Sequence, residues 1–489
     1  MIRDVEKRNK NYNAYVEQVT PKASCLKNCI KAFITGGAIC LFGQILIELF
    51  KNAGMAKDEA SLWTTICLVL ASNILTGLNI YPLITTWGGA GSLVPITGFA
   101  NSVAAPAIEY KAEGIRHRMQ NIYDSRTGYS LWNIFIMDSR AIISACKIMD
   151  VGGDSVQKGS QSFKFDIPVY IEQTASVVGE KESEGPLGRM FDVVIKDPMS
   201  GKDNWEQAES ALQEAVVDKL LMKTSYKKEQ IRYILSGDLL GQLIATSFGI
   251  SKYEIPHFGI YGACSTFGEA LSLGALIISA GAADRLICMA SSHFASAEKQ
   301  FRFPLEYGNQ RPKASTWTVT GSGAAVITNE RQPVAITGIT TGKIIDYGVK
   351  DSMNMGACMA PAAADLIVAN FKDFETDEKY YDRIITGDLG TVGREILINL
   401  VKEKGYDISQ IHMDCGIEIF DPQKQGTHAG GSGCGCSAVV FSSYIIDNVR
   451  DGKWKRILFI PTGALLSTVS YNEGQSVPGI AHGVIVEHV

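Results

Sequence analysis

The stretch that decides the fold is HFGIYGACSTFGEALSLGALIISAG, residues 257–281. Its first part predicts a strand that ends just before Cys264, and STFGEALSLGALIISAG predicts a helix that begins directly after this cysteine. The amides at the N-terminus of such a helix lower the pKa of a thiol and donate hydrogen bonds to an oxyanion. Nucleophilic cysteine catalysis needs both effects, although a buried cysteine is more often only a small apolar side chain. Cys264 is therefore the first candidate site residue.

Patterns on both sides of this stretch occur twice along the chain. YILSGDL from Tyr233 recurs 150 residues later as RIITGDL from Arg383, and each predicts a buried strand that ends at Gly-Asp. GACST around Cys264 has a counterpart in GGSGCGCS around Cys434. Two further strands follow in each half, RLICMASS and GSGAAVIT in the first, RILFIPTG and AHGVIVEH in the second. The repeated order predicts two similar α/β halves with mainly parallel sheets and ligands at the carboxyl ends of the strands.

Length and composition indicate a large folded protein. A chain of 489 residues predicts two or three folding units, and 46% hydrophobic against 20% charged residues excludes a disordered chain. The net charge of −5 gives no sign of nucleic-acid binding. The eleven cysteines have no regular pairing spacing, which favours a reduced compartment over a disulfide framework.

The N-terminal region predicts membrane helices. Residues 60–108 contain no charged side chain, and three apolar runs, 32–50, 62–81 and 85–108, are long enough to cross a bilayer. Buried helices of a soluble core are the alternative. Seven Lys or Arg against three Asp or Glu before residue 32 predict a cytoplasmic N-terminus.

Residues 1–114 resemble the stage V sporulation protein AC family, small membrane proteins of endospore formers. The resemblance ends at Gly114, and residues 115–148 are polar and unpatterned. Back-translated and read one nucleotide onward, this segment gives an apolar string that predicts the missing membrane helix, so we interpret it as an out-of-frame translation. An ordinary polar linker is the alternative. Three spans would place the C-terminal domain opposite a cytoplasmic N-terminus, whereas four would return it to the same side.

Residues from about 160 to the end resemble the thiolase superfamily, and more closely the stage V sporulation protein AD family. The motifs fall in the family's order: EGPLGRMFD, SGDLL, GACST, SSHFASAEKQFRFPLEYG, TGSGA, MAPAAAD, TGDLG, MDCG, GGSGCGCSA, TGALLS and IAHG. The resemblance implies a duplicated five-layer αβαβα domain over residues 149–489, with halves at about 149–330 and 331–489. It also implies a homodimer and places Cys264 at the nucleophile position.

The second half departs from the pattern of a condensing enzyme. Such an enzyme needs His and Asn, or two His, from this half to polarise a thioester. The corresponding positions here offer Asp388, Cys434 and Cys436, with His428 as a possible substitute. Because an acidic group would repel a developing oxyanion, we predict a protein that is not an enzyme. An acyl-thioester condensing enzyme of ketoacyl synthase III or thiolase type is the alternative, and a scaffold without a ligand is a third.

The resemblance implies binding of dipicolinic acid, with calcium, for uptake into the forespore, together with other stage V sporulation A proteins at the forespore or spore inner membrane. A planar dianion needs cationic or amide donors and a flat apolar wall, which SSHFASAEKQFRFPLEYGNQR offers. A dimer interface or lid is the alternative role for that stretch. Asp238, Asp388 and Asp414 are calcium-ligand candidates because carboxylates bind hard cations, and the alternative role of the two Gly-Asp corners, Asp238 and Asp388, is to cap helices. No resident metal or cofactor is predicted. The complete set of predicted ligand-binding residues is Cys264, His293, Arg302, Asp388, Asp414, His428, Cys434 and His482.

Overall fold

The computed structural model describes residues 2–22, 24–109, 156–301 and 311–489. These residues form two compact units. The α/β unit comprises residues 2–21, 156–301 and 312–489, and the apolar helical unit comprises 22–109. The predicted out-of-frame segment 115–148 lies outside the described residues.

Sixteen strands lie in the described part of the α/β unit. They are β1 (Val156–Lys158), β2 (Ser162–Gly179), β3 (Val193–Ile195), β4 (Ile234–Gly237), β5 (His257–Gly259), β6 (Arg285–Ser292), β7 (Trp317–Thr318), β8 (Gly321–Thr328), β9 (Val334–Thr340), β10 (Arg383–Thr386), β11 (His412–Asp414), β12 (Gly431–Ser432), β13 (Arg456–Ile460), β14 (Thr462–Ala464), β15 (Gly479–Ala481) and β16 (Gly483–His488).

The α-helices follow the same chain order across both units. They are α1 (Ile2–Val19), α2 (Cys25–Asn52), α3 (Lys57–Gly77), α4 (Tyr81–Gly88), α5 (Ala90–Leu93), α6 (Ile96–Glu109), α7 (Glu180–Ser183), α8 (Trp205–Thr224), α9 (Ile244–Ser251), α10 (Thr266–Ser279), α11 (Phe294–Phe301), α12 (Met355–Asp373), α13 (Gly390–Lys402), α14 (Cys415–Glu418), α15 (Pro422–Gln425), α16 (Cys434–Val440), α17 (Ile446–Arg450) and α18 (Thr468–Asn472). A π-helical turn at Phe441–Ile445 joins α16 to α17, and 3₁₀ turns lie at Gly188–Met190, Lys228–Gln230, Gly241–Leu243 and Glu378–Tyr380.

The sheet has the internal repeat that the sequence predicts. The first half runs in the order β5-β4-β6-β8-β2 and the second in the order β11-β10-β13-β16-β9. In each half the first two pairings are parallel and the last two antiparallel. The prediction of mainly parallel sheets is therefore wrong, because β8 and β16, which close the two halves, run against both of their neighbours. Strand β2 also pairs with β9 and so joins the two half-sheets.

Alternate side chains on each strand face different layers of the core, as the pleat of a strand requires. Ile234 packs with helix α8 in one cluster, whereas its neighbour Leu235 packs with helix α10 in another. In the second half Ile384 packs with α12 and α13, and Ile385 faces the same central cluster as Leu235. The layers are thus α8 and α9, a half-sheet, the central helices α10 and α16, the second half-sheet, and α12 with α13. This confirms the predicted duplicated five-layer α/β class.

The apolar helical unit contains two helices that are long and apolar enough to cross a membrane among the described residues, α2 and α3. The third predicted span, 85–108, is instead divided among α4, α5 and α6. Gly89 adopts a positive φ of 53° between α4 and α5, and Pro95, which lacks an amide hydrogen, precedes α6. None of the three helices reaches the ~20 residues that a spanning helix needs.

Helix α1 belongs to the α/β unit, although the sequence analysis assigns residues 1–114 together to the membrane segment. Tyr12 and Val16, one helical turn apart, are buried in the cluster that α12 and α13 form. The first helix is therefore part of the core of the second half.

Candidate functional site

Cys264 lies where the sequence predicts it, between a strand and a helix in the centre of the fold. Strand β5 ends at Gly259, and helix α10 begins at Thr266. The turn between them is closed by the Ser265 amide, which donates to the Gly262 carbonyl oxygen at 3.0 Å, and by the Thr266 amide, which donates to that of Ala263 at 3.2 Å. Cys264 is buried within this turn, at the N-terminal end of α10.

The backbone is strained at the residue before Cys264. Ala263 has a φ of 49°, in the left-handed region that costs a residue with a Cβ atom about 1 kcal/mol or more. The second half also has a positive φ at this place, since Gly433 has a φ of 106° directly before Cys434 and helix α16, although this lies in a different region that glycine adopts freely. The two corners therefore share a positive φ directly before a cysteine at a helix N-terminus.

The two corners also touch each other. The Cys434 thiol donates to the Ala263 carbonyl oxygen with a sulfur–oxygen distance of 3.0 Å. Burial raises the pKa of Cys434 well above its ordinary value, and the Cys264 thiol raises this pKa further. Cys434 is therefore protonated at neutral pH and cannot serve as a general base for its neighbour.

Two residues between the corners complete the surroundings of Cys264. A Cβ atom on Gly463 would collide with the Gly262 carbonyl oxygen and lie 3.2 Å from the Cys264 amide nitrogen, so only glycine fits there. Tyr261 is half-exposed, and its pKa is raised by burial and by Cys434 and Cys264. Its ring gives the corner an aromatic face that solvent can reach.

A cluster of polar side chains without partners lies on the other side of Gly463. Asp388, Ser437 and Thr462 are fully buried, and among the described residues neither Asp388 carboxylate oxygen nor either hydroxyl has a hydrogen-bond partner. They are neighbours, because a Cβ on Gly387 would lie 3.1 Å from the Ser437 Cβ and 3.3 Å from the Thr462 amide nitrogen. We call Asp388, Ser437 and Thr462 the polar cluster.

The electrostatics of this cluster favour a neutral Asp388. Burial first, and then the charge of Asp414, raises the pKa of Asp388 well above its ordinary value. The Cys436 thiol and the Gly433 amide counteract this only in part, without reaching hydrogen-bond geometry with the carboxylate. A protonated Asp388 carries a hydroxyl donor. The argument that an acidic group would repel an oxyanion therefore applies only to the ionised form.

The other two candidate carboxylates cap helices. The amides of Leu240 and Thr246 each donate to Asp238 at 2.8 Å, which places this carboxylate at the start of α9. The Gly390 amide donates to Asp414 at 3.0 Å at the start of α13. The helix-cap alternative, made for Asp238 and Asp388, thus describes Asp238 but not Asp388, and Asp414 caps a helix instead.

His293 is not part of this assembly. One ring nitrogen of His293 lies 2.9 Å from the Pro198 carbonyl oxygen, and the other accepts from the Ala295 amide at 3.1 Å. Burial lowers the pKa of His293 to about 4, so the ring is neutral and both its nitrogens are bonded to backbone. Arg302 lies outside the described residues.

Of the remaining histidines, His482 lies beside the polar cluster and His428 at the surface. His482 follows Ala481, the strand partner of Thr462, and burial lowers its pKa to about 4. Its carbonyl oxygen packs against α10, since a Cβ on Gly268 would lie 3.0 Å from it. His428 is exposed and has a φ of 54°. The structure therefore brings the Cys264 and Cys434 corners into contact, and it places His482 next to Ala481, the strand partner of Thr462.

Sequence reasoning missed three residues of this region. Ser437 and Thr462 stand inside the quoted motifs GGSGCGCSA and TGALLS, so their positions could have nominated them. Glu209 had no such signal. It is buried in α8 and accepts hydrogen bonds from Ser291 at 2.9 Å and Ser296 at 2.6 Å, and burial raises its pKa to about 8.

At neutral pH the assembly offers hydrogen-bond donors and little charge. The Cys434 thiol is protonated, the pKa of Asp388 is shifted toward the protonated form, the His482 ring is neutral, and the N-termini of α10 and α16 contribute partial positive charge. No group of three or more His, Cys, Asp or Glu side chains in the described ranges could hold a metal ion. The chemistry therefore suits a small anion better than a resident metal.

The chain is similar to two known sporulation proteins. Residues 159–487 match the family Stage V sporulation protein AD (SpoVAD), and residues 28–124 match the SpoVAC/SpoVAEB sporulation membrane protein family. Stage V sporulation protein AD of Bacillus subtilis (strain 168) is 42% identical over 329 residues, 67% of this chain and 97% of that protein. Stage V sporulation protein AC of the same organism is 44% identical over 106 residues, 22% of this chain and 71% of that protein.

Solved structures of acyl-transferring proteins also align with the chain. The 3-oxoacyl-[acyl-carrier-protein] synthase III from Aquifex aeolicus VF5 is 12% identical with a TM-score of 0.41, covering 65% of this chain and 99% of that one. Acat5 thiolase from Ascaris suum in complex with coenzyme A is 12% identical with a TM-score of 0.42, covering 66% and 100%.

Proposed function

The chain belongs to the Stage V sporulation protein AD family, and we propose on this basis that its α/β unit binds dipicolinic acid for uptake into the forespore. We further propose that it does so without catalysis, at the forespore or spore inner membrane. Other stage V sporulation A proteins are the proposed partners, because the N-terminal part is similar to a sporulation membrane protein. The α/β unit is proposed to form a homodimer.

The observation that carries the proposal is the polar cluster of Asp388, Ser437 and Thr462. Buried polar groups almost always have a hydrogen-bond partner, and those without one in the protein are commonly satisfied by water or a ligand. Several buried oxygens without a partner on neighbouring residues therefore support a small polar ligand. Dipicolinic acid, pyridine-2,6-dicarboxylic acid, presents two carboxylates and a ring nitrogen on one flat molecule.

The charge state of the site supports binding of a dianion by neutral donors. A protonated Asp388 and the hydroxyls of Ser437 and Thr462 can donate to a carboxylate, and the N-termini of α10 and α16 favour negative charge. The half-exposed ring of Tyr261 offers a flat wall. Calcium would arrive with the ligand, because the described residues contain no preformed metal group.

The same residues argue against a condensing enzyme. Carbon–carbon bond formation from a thioester needs a group that accepts a proton beside the nucleophile. The Cys434 thiol donates to the Ala263 carbonyl oxygen at 3.0 Å, and its raised pKa removes it as a base. One observation favours the competing function, a condensing enzyme. The strained turn places Cys264 at the N-terminus of α10.

Calorimetry on the detergent-solubilised full chain tests the proposal with dipicolinate, with and without calcium. Asp388→Ala should weaken binding at least tenfold, about 1.4 kcal/mol, whereas Asp388→Asn, which keeps a donor, should stay within about threefold. Cys264→Ala is measured beside a matched control, Cys358→Ala, which removes a buried cysteine of the outer core. The control should bind dipicolinate as tightly as the parent does. No heat of binding for dipicolinate under either condition would overturn the proposal.

Acyl-CoA labelling separates the competing function. We expect no acyl transfer to Cys264 that turns over. A covalent acyl group on this sulfur, released with formation of a condensation product and lost in Cys264→Ala but not in Cys358→Ala, would establish the enzyme instead.

A further inference from the structure

Helix α1 is seated on the outer face of the α/β unit, in the groove beside α12 and α13. Its buried stripe consists of Tyr12 and Val16, which are 5% and 7% exposed. The Tyr12 hydroxyl donates to the Ala357 carbonyl oxygen at 2.6 Å, and its ring meets that of Tyr347 edge-on at 4.9 Å. Burial raises the pKa of Tyr12, as expected for a phenol enclosed in a core. An aromatic side chain buried this deeply contributes much of the energy of an interface.

Polar contacts fix the helix at both ends of this stripe. Near its start, Arg8 donates to the Asp346 carbonyl oxygen at 2.9 Å, and its guanidinium lies 4.2 Å from the centre of the Tyr347 ring. Just beyond its end, the Asn354 amide donates to the Thr20 hydroxyl oxygen at 2.8 Å. Contacts that extend from Arg8 to Thr20 determine both the register and the direction of the helix.

Two features of the sequence show why the packing of α1 on the α/β unit matters. The helix precedes the candidate membrane spans α2 and α3, and the rest of the α/β unit follows them. The match to the sporulation membrane protein family begins only at residue 28, after α1. We propose that residues 2–19 are a clasp, a segment that retains the α/β unit at the membrane through contacts separate from the covalent connection.

The clasp also determines whether the chain crosses the membrane an even or an odd number of times. A helix packed on the α/β unit lies on the same side of the membrane as that unit. The chain between Pro21 and Val156 therefore crosses the membrane an even number of times. Two spanning helices satisfy this condition, and the three spans expected from the sequence do not. With a cytoplasmic N-terminus, the α/β unit is cytoplasmic as well. This inference does not depend on dipicolinate binding.

Cleavage of the full chain in its membrane tests the clasp. A recognition sequence for a site-specific protease is inserted within residues 115–148, and the membranes are cleaved and sedimented. We expect the α/β unit to remain in the pellet with the parent sequence. Tyr12→Ala combined with Val16→Ala should reduce its share in the pellet at least tenfold. Glu17→Ala, on the exposed face of the same helix, is the matched control and should leave it bound.

A peptide competitor keeps the test valid if the double variant misfolds. A synthetic peptide of residues 1–22 in excess should release the α/β unit from the cleaved parent, whereas the same peptide with Tyr12→Ala should not. Release of the cleaved parent without any peptide would overturn the proposal, and so would retention in the double variant. Retention despite excess parent peptide would overturn it too.

The parity is tested separately in sealed vesicles of known orientation. Epitope tags are placed at the two ends of the chain. Protease should digest both tags in vesicles of one orientation and neither tag in vesicles of the other orientation. Tags that become accessible in opposite preparations would refute the shared side.

Discussion

Substituting Asp388 by Asn should remove one titrating group from the pH dependence of stability. Asp388 is fully buried without a hydrogen-bond partner among the described residues, and burial raises its pKa well above its ordinary value. The folded state therefore holds a proton that the unfolded chain releases near pH 4. The stabilising effect of this proton is complete below the unfolded pKa and is lost as pH rises toward the folded pKa.

The linkage between proton binding and folding gives the size of this effect on the free energy of unfolding. Between the two pKa values the folded state binds one more proton than the unfolded state, so the free energy of unfolding falls by about 1.4 kcal/mol per pH unit. Asp388→Asn does not titrate. Over the pH range above 5 in which Asp388 stays protonated in the folded state, the parent should therefore lose stability relative to the variant at this rate. This pH dependence is opposite in sign to that of a carboxylate in a salt bridge, whose contribution to stability is lost as pH falls.

Urea titrations of the solubilised chain at pH 5, 6 and 7, followed by intrinsic fluorescence, measure this difference. Asp407→Asn is the control. Asp407 is exposed and its pKa is lowered by its hydrogen bonds to Ser409, so above pH 5 its variant should run parallel to the parent. If Asp388→Asn also runs parallel to the parent, Asp388 is ionised in the folded state and the electrostatic argument for the site fails.

Three further substitutions probe the corners. Gly463→Ala places a Cβ against the Gly262 carbonyl oxygen and should cost about 2 kcal/mol in urea titrations; an unchanged midpoint would contradict the close approach. Ala263→Gly should leave the thermal midpoint unchanged or raise it, because glycine relieves the positive φ, whereas Ala275→Gly inside helix α10 should lower stability by about 1 kcal/mol; equal losses would refute the strain. Asp414→Ala should lower the free energy of unfolding by about 1 to 2 kcal/mol through loss of the α13 cap, and no change would show that the cap is dispensable.

The sequence predicted the Cys264 corner because every determinant is local. A strand, a glycine turn, a cysteine and an apolar helix follow one another within 25 residues, and the duplicate at Cys434 repeats the pattern. The parallel-sheet prediction failed because strand direction at β8 and β16 depends on their partners across the sheet rather than on their own residues. The third membrane span stays a prediction, and the structure divides its residues at Gly89, a breaker visible in the sequence but outweighed by the uncharged run around it.

Two parts of the structure depend on contacts distant in sequence. The seat of α1 joins Tyr12 to Ala357, 345 residues apart, and nothing local identifies the partner of that stripe. The orphaned state of Asp388 is likewise a tertiary property, since it depends on where Asp414 points. A single sequence shows the stripe and both carboxylates without showing which groups meet.

The duplicated Gly-Asp-Leu corner explains how one motif gives two different chemical groups. Strands β4 and β10 occupy equivalent places in their half-sheets, and Asp238 and Asp388 follow them equivalently. Asp238 accepts the amides that begin α9, and these bonds lower its pKa against the effect of burial. In the second half Asp414, from the adjacent strand β11, accepts the amides that begin α13 and so displaces Asp388 from that role. The displaced carboxyl has no hydrogen-bond partner among the described residues, and burial raises its pKa despite the nearby Gly433 amide and Cys436 thiol. Recruitment of a second carboxylate as the cap is therefore the structural change that leaves Asp388 available to the proposed ligand.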